Sequence, residues 1–416
     1  MSNESDRERP TIEVGLRRVP ELDPRAPLPD SDPRLVAKIA DEMRSAGPMT
    51  FARFMEHALY DREAGYYARS GELDSATTGP GRRGDFLTAP ESHPIFGWAM
   101  ARHLESVWLA LDRPARFVVR EHGAGTGALA AGILDGLRRA GSDLLGAVRY
   151  QAIDTSGARL ATLRARLDAL GVGDHLDPPD DLPSVGAILA NELLDALPVH
   201  RVEGGPDGSL LERFVALDPE GSADALRFTT VLGTPSTPDL AARLAAEGIT
   251  LQPGQPAEIC LTVERWITDA GASLERGELL LIDYGYPAAE LYDPDRGSTL
   301  RAYHRHRVHA DPLVGIGRQD LTAHVDLTAV ERAAGAAGLQ PIGRTSQARF
   351  LASLETGELL VGLQADPSTT LESYLGARSA LARMLDPRAT GAFRVLAFGR
   401  GLARDAIRGF GAPPAI

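Results

Sequence analysis

Apolar positions in the first third of the chain recur at helical spacing. Leu35, Val36, Ile39 and Met43 predict one helix, ended by "GPM" at 47–49. Thr50 then stands where an N-cap would, and Phe51, Phe54, Met55 and Ala58 form the stripe of a second helix. From residue 117 the pattern changes to short apolar runs alternating with amphipathic segments. "FVVRE" reads as a buried strand, followed by a helix with Leu129, Ile133 and Leu137 on one face. "YQAI" is the next strand, and Leu160, Leu163, Leu167 and Leu170 mark its helix. "VGAILA" (185–190) and "ELLLID" (278–283) are two more buried-type strands. Repeated strand–helix units predict a parallel sheet with helices on both faces. Residues 201–277 break the rhythm with a hairpin pattern, "LLERFVALDPEGSADALRFTTVL", and two helical segments, so they read as an insertion. Residues 326–338 are expected to be helical, and "FRVLAFGRG" to close the sheet. The expected fold class is α/β: a parallel sheet with helices on both faces, preceded by residues 34–116 and carrying the insertion as a sub-domain. The polar, proline-studded residues 1–33 are expected to form a disordered or loosely docked tail.

Composition narrows the function classes. A hydrophobic content of 43% and a charged content of 24% fit a soluble globular chain. No window approaches eighteen consecutive apolar residues, so no membrane span is expected. The opening "MSNESDRERPTIEVGLRRVP" has the pattern of neither a signal nor a transit peptide, and Cys260 is the single cysteine. Both point to a reducing, cytoplasmic setting. A net charge of −13 argues against nucleic acid as a partner, because phosphate binding needs a basic surface.

The chemistry concentrates at strand ends. "EHGAGTG" (121–127) follows the first strand of the series, where ligands of open α/β sheets bind. Gly123 and Gly125 with Ala128 also satisfy the loose dinucleotide pattern. The second strand ends at Asp154, with Thr155 next to it. A carboxylate there accepts hydrogen bonds from both hydroxyls of a ribose, or caps the next helix. A ribose partner fits both NAD and S-adenosyl-L-methionine (SAM). The leading acid Glu121 favours SAM, since it would lie near the methionine ammonium. More than a hundred residues precede the strand, which also favours SAM; neither feature decides the matter alone.

A second motif, "ILANELLDALPVHRV", places Asn191 and Glu192 directly after a buried strand, with Asp195 and His200 close behind. Methyl transfer is an in-line displacement, so the site must orient the nucleophile and remove a proton where needed. A guanidinium acceptor calls for carboxylates that hold its planar fork, and Glu192 and Asp195 are candidates. The competing reading makes Asn191 a helix cap and the two acids solvated first-turn residues. The cluster His304, His306 and His309 does not read as a metal site, since Arg305 and Arg307 interleave it and would repel a cation.

Five segments together resemble the MidA family of class I SAM-dependent methyltransferases: "GPMTFARFMEHALYDREAGYYAR", "GDFLTAPESHPIFG", "EHGAGTGALAAGIL", "NELLDALPVHRV" and "LLIDYGY…STLRAYHRHRVHADPLVGIGRQDLTAHVDL". They span residues 47–327 in the family's order. The resemblance implies a Rossmann-like methyltransferase sheet with an N-terminal helical extension and an inserted segment, and SAM as cofactor, with Gly84, Asp85, Phe86 and Thr88 of "GDFLT" in its pocket beside Gly123, Gly125 and Gly127. It implies that Asn191, Glu192, Asp195 and His200 carry the chemistry, with His200 relaying a proton or supporting the site, and that the histidine cluster, through His306 and His309, lines the cleft or makes structural hydrogen bonds. The implied acceptor is a protein arginine; a small molecule or biosynthetic peptide, or SAM binding without turnover, are the alternatives. Homo-oligomer formation is left open. The chain departs from the family in reading "GAG" for G-P-G, and at Ile316 and Leu327.

Overall fold

The computed structural model describes residues 29–69, 88–180, 182–220, 226–304, 307–403 and 406–411. Most of the expected tail, and residues 70–87 with Gly84, Asp85 and Phe86, lie outside the described residues, as does His306.

The extension begins with α1 (Pro33–Ala46) and α2 (Phe51–Tyr60). Their predicted stripes are the buried ones: Leu35, Ile39 and Met43 on α1, and Phe51, Phe54, Met55 and Ala58 on α2. Thr50 caps α2, its hydroxyl accepting the Arg53 amide at 3.1 Å. A third helix, α3 (Ile95–Ala110), is apolar on nearly all sides because it is buried between neighbours. It crosses α4 (Ala128–Ala140) so closely that a Cβ on Gly97 would sit 2.5 Å from Gly132 backbone atoms. Only two glycines allow that approach.

The central sheet has seven strands: β1 (Phe117–His122), β2 (Val148–Ile153), β3 (Leu176–Asp177), β4 (Ser184–Asn191), β5 (Leu274–Asp283), β6 (Gln340–Ser346) and β7 (Arg394–Arg400). Their order is β3-β2-β1-β4-β5-β7-β6. The first five are mutually parallel, and β7 runs antiparallel to both β5 and β6. The predicted last strand therefore does not close the edge; it is inserted beside β5, and β6 forms the rim. Strand order reverses between β1 and β4, which opens a crevice at their carboxyl ends. The helix α5 (Gly157–Ala169) follows β2, and buries Leu163 and Leu167 as its stripe requires.

The inserted residues form a separate antiparallel sheet. His200–Gly204 pairs with Leu210–Leu217 and Pro256–Ile259, and Leu210–Leu217 pairs with Phe228–Gly233, the anticipated hairpin. Met49–Thr50 of the extension also pairs with Leu210–Leu217. Extension and insertion thus share one hydrophobic cluster, which includes Leu35, Phe51, Phe54, Val215, Leu300 and Leu321. Helix α6 (Thr262–Ala272) returns to the main layer, packing on α7 (Leu327–Ala336), so the inserted sheet itself ends at Ile259. A second excursion after β5 carries the small sheet Arg301–His304, Arg307–His309 and Asp320–Thr322. Both excursions leave the sheet at its carboxyl end, beside the crevice.

Candidate active site

The crevice holds a cavity of about 340 Å³. One wall is the glycine turn. Gly123 and Gly125 have φ of 73° and 53°, a region costly for other residues. The Gly123 amide donates to the Ile153 carbonyl at 2.8 Å, and the Gly125 amide donates to Asp154 Oδ2 at 2.9 Å. Asp154 thereby ties the turn to β2, while its Oδ1 accepts the Ser156 amide at 2.8 Å. Thr88, Glu121, Asp154 and Thr155 line the cavity with Gly123 and Gly125. Gly127 does not. Its φ is 78° and a Cβ there would fall 2.5 Å from Leu163 Cγ, so it serves the packing of α5 on the turn.

Glu121 is buried, accepts the Tyr150 hydroxyl at 2.5 Å, and is pushed up to about 8 by burial, with Asp154 and Glu91 adding repulsion. His122 is held down at about 4 by burial and by Arg120, so its ring is neutral at physiological pH. That ring stands edge-on to Trp266, centroids 5.2 Å apart.

The opposite wall comes from the end of β4. Asn191 and Glu192 line the cavity, and Asn191 Nδ2 donates to Glu192 Oε1 at 3.1 Å. Glu192 has a φ of 51°, a left-handed conformation that a non-glycine residue adopts only under constraint. Its amide donates to the Ile282 carbonyl at 2.8 Å, which holds the turn. Burial, with repulsion from Asp195, pushes its carboxyl up to about 8. Asp195 lies behind this wall, buried rather than solvated, and burial raises it too. Beneath it Asp283 accepts the Leu194 and Asp195 amides on Oδ2, at 2.9 and 3.3 Å, and the Tyr284 amide on Oδ1 at 2.8 Å. Glu192, Asp195 and Asp283 form one buried acidic cluster, each raising the charge cost of another.

His200 is not part of this cluster. It begins the inserted sheet, and its Nδ1 lies 2.7 Å from Glu212 Oε1, a fully buried carboxylate. It stands at the start of the strand His200–Gly204, directly after Pro198–Val199, and is not among the residues lining the cavity. His304 Nδ1 bonds the Arg318 carbonyl at 2.9 Å, the structural hydrogen bond that the sequence allowed.

Tyr60, Tyr67, Arg159 and Trp266 are among the cavity residues that had no role in the sequence reading. Tyr60 and Tyr67 stack with centroids 5.4 Å apart. Their hydroxyls are engaged elsewhere, Tyr60 donating to the Ala196 carbonyl and Tyr67 to Asp320 Oδ1, both at 2.9 Å. The segment "LYDREAGYY" (59–67) carried both tyrosines without disclosing a direction.

The residues present fit a SAM molecule. A Cβ on Gly125 would meet nothing nearer than the Gly123 carbonyl at 4.0 Å, so the turn leaves its open side to a ligand. Asn191 Oδ1 is a buried acceptor without a hydrogen-bond partner among the described residues, ready for an ammonium donor. Asp154 lines the same cavity, its two oxygens accepting the Gly125 and Ser156 amides.

Comparison with known proteins agrees. The family model of S-adenosyl-L-methionine-dependent methyltransferases called Methyltransf_28 matches residues 99–345. Protein arginine methyltransferase NDUFAF7, mitochondrial, of Mus musculus is 29% identical over 337 residues, covering 75% of this chain and 72% of its own. The Drosophila melanogaster homolog is 26% identical over 420 residues, 94% of this chain and 92% of its own. Among solved structures, a COG1565 superfamily member from Burkholderia thailandensis bound to S-adenosyl-homocysteine superposes with a TM-score of 0.78. It is 35% identical, over 91% of this chain and 96% of that one. The chain belongs to the MidA family of class I SAM-dependent methyltransferases.

Proposed function

We propose that the acceptor is an arginine side chain of a protein, bound over the acidic cluster at the end of β4. The observation that carries this reading is the placement of Glu192 on the cavity wall, backed by Asp195 and Asp283 in a buried, electron-rich pocket. Such acids are costly to ionise together and gain most from a planar cation that pairs with two of them. The names of the NDUFAF7 relatives point the same way.

When bound, SAM supplies an electrophilic methyl group on its sulfonium. The glycine turn and Asp154 would hold its adenosine, and Glu121 with Asn191 its ammonium. Glu192 would then grip the guanidinium from the cavity wall, fix the attacking nitrogen and accept the proton it sheds, with Asp195 behind it adding negative charge. Asp283 acts through them, since its carboxylate holds the amides of residues 194 and 195.

The test pairs methyl-labelled SAM with a lysate, counts label in protein and small-molecule fractions, and hydrolyses the protein to find methylarginine. Label in methylarginine is the expected result; label confined to small molecules would replace the protein acceptor by a metabolite or peptide. Asp195→Asn and Glu192→Gln are each expected to keep SAM affinity and lose turnover by about 100-fold or more. Unchanged turnover in both would remove the acids from the chemistry.

A further inference from the structure

The acid cluster has a neighbour to which the sequence reading gave no role. Tyr284 follows Asp283 at the end of β5 and is not among the residues lining the cofactor cavity. Its hydroxyl is hydrogen-bonded to the Asp195 carboxyl. Its ring is fixed on two other sides, edge-on to His324 with centroids 5.3 Å apart and tilted against Phe393 at 5.2 Å. The backbone holds the same arrangement. The Ala323 amide donates to the Asp195 carbonyl at 2.9 Å, and the Val325 amide to the Tyr284 carbonyl at 3.0 Å. The Asp283 carboxylate takes an amide from each of the two residues. One three-residue segment and one carboxylate thus keep Asp195 and Tyr284 together.

The groups around Asp195 say what the hydroxyl is for. Glu192 of its own turn and Asp283 of β5 are acids. Tyr60 of α2, Tyr67 of the short helix Tyr66–Arg69 and Tyr303 of the small sheet are phenols. The acids repel a carboxylate and the phenols bring no positive charge. Tyr60 gives its hydroxyl to the Ala196 carbonyl and Tyr67 to Asp320. Tyr284 directs its own at the Asp195 side chain. Burial raises the Asp195 carboxyl to about 6, and the Tyr284 bond works against that rise. A hydrogen bond to the ionised form offsets part of the cost of burying it, and a negative charge behind Glu192 is what a cationic acceptor needs.

We propose that Tyr284 is a positioning residue, whose hydroxyl holds the Asp195 carboxylate towards the acceptor site. This inference rests on the acceptor lying over the acid cluster. The first test needs no acceptor. It compares the melting of full-length wild type, Tyr284→Phe, Asp195→Asn and the double variant from about pH 5 to about pH 8. Tyr284→Phe keeps the ring on His324 and Phe393, so it should melt near wild type at the acid end. Its deficit should grow by about 2–4 °C as Asp195 ionises, and vanish in the Asp195→Asn background. A deficit that ignores pH and persists beside Asp195→Asn would make Tyr284 a packing residue and overturn the proposal. The second test follows methyl label from SAM into a lysate between about pH 6 and about pH 9. Tyr284→Phe should keep SAM affinity within about 2-fold, lose label by about 10-fold near neutrality, and displace the acid limb upward by about 1–2 pH units. An undisplaced limb would overturn the proposal. Label found in small molecules alone would remove the arginine reading, and the same displacement, measured on that label, would still decide the role of Tyr284.

Discussion

At the scale of single residues, Glu192 joins two costs at one position. Its φ of 51° is a strained conformation for a side chain with a Cβ, and its carboxyl is buried beside Asp195. Both would be relieved by Glu192→Gly, against which stands the extra unfolded-state entropy of glycine, about 0.5–1 kcal/mol. The expected result is a ligand-free variant that melts no lower than wild type and has no detectable turnover. A melting temperature several degrees lower would show that the Asn191–Glu192 contact stabilises the fold instead. The acids here were legible as residue types in "NELLD", yet their environment was not. The sequence left Asp195 as a solvated first-turn acid as readily as a buried one, since depth depends on what packs above it.

At the scale of elements, the glycine turn divides into two functions. Gly125 faces open space, whereas Gly127 faces Leu163 of α5. Gly127→Ala combines a positive φ with a Cβ 2.5 Å from a side-chain carbon, so it should cost about 2–4 kcal/mol in denaturant unfolding. Gly125→Ala should cost about 1–2 kcal/mol, the left-handed penalty alone, and still lose most SAM affinity. Equal destabilisation by the two would erase this division. The strands and helices of the sheet were readable because their apolar periods match their burial, from "FVVRE" through "ELLLID". β6 and the helices between it and β7 were not read, because "QPIGRTS" alternates only weakly and is exposed at the sheet rim.

At the scale of the whole molecule, the raised carboxyls set a pH dependence. Glu121 and Glu192 each titrate near 8 in the fold against an ordinary value of 4.5, both chiefly through burial. A group raised on folding stabilises fully below its unfolded value, and that contribution is lost as pH rises through the folded one. Ligand-free protein should therefore melt at progressively lower temperature from about pH 5 to about pH 9. SAM, which supplies cations to these acids, should flatten the profile and release protons on binding at pH 7, readable by calorimetry in buffers of different ionisation enthalpy. A melting temperature that rises over this range, with no proton release, would remove Glu121 and Glu192 from the cofactor and acceptor walls.

The sequence by itself determined the α/β class and, through the family resemblance of its five segments, the cofactor. The first follows from local rules, since apolar period sets element type; ligands of open sheets sit at strand ends, where "EHGAGTG", Asp154 and "NELLD" stand. Only the tertiary structure decided which side chains share the cavity. It moved His200 onto Glu212 in another sheet, and brought Tyr60, Tyr67 and Arg159 to the glycine turn from helices far apart in the chain. Long-range packing made that choice. The extension and the insertion bury one hydrophobic cluster together, and their joint position over the carboxyl ends of β1 and β4 is a property no local window of residues contains.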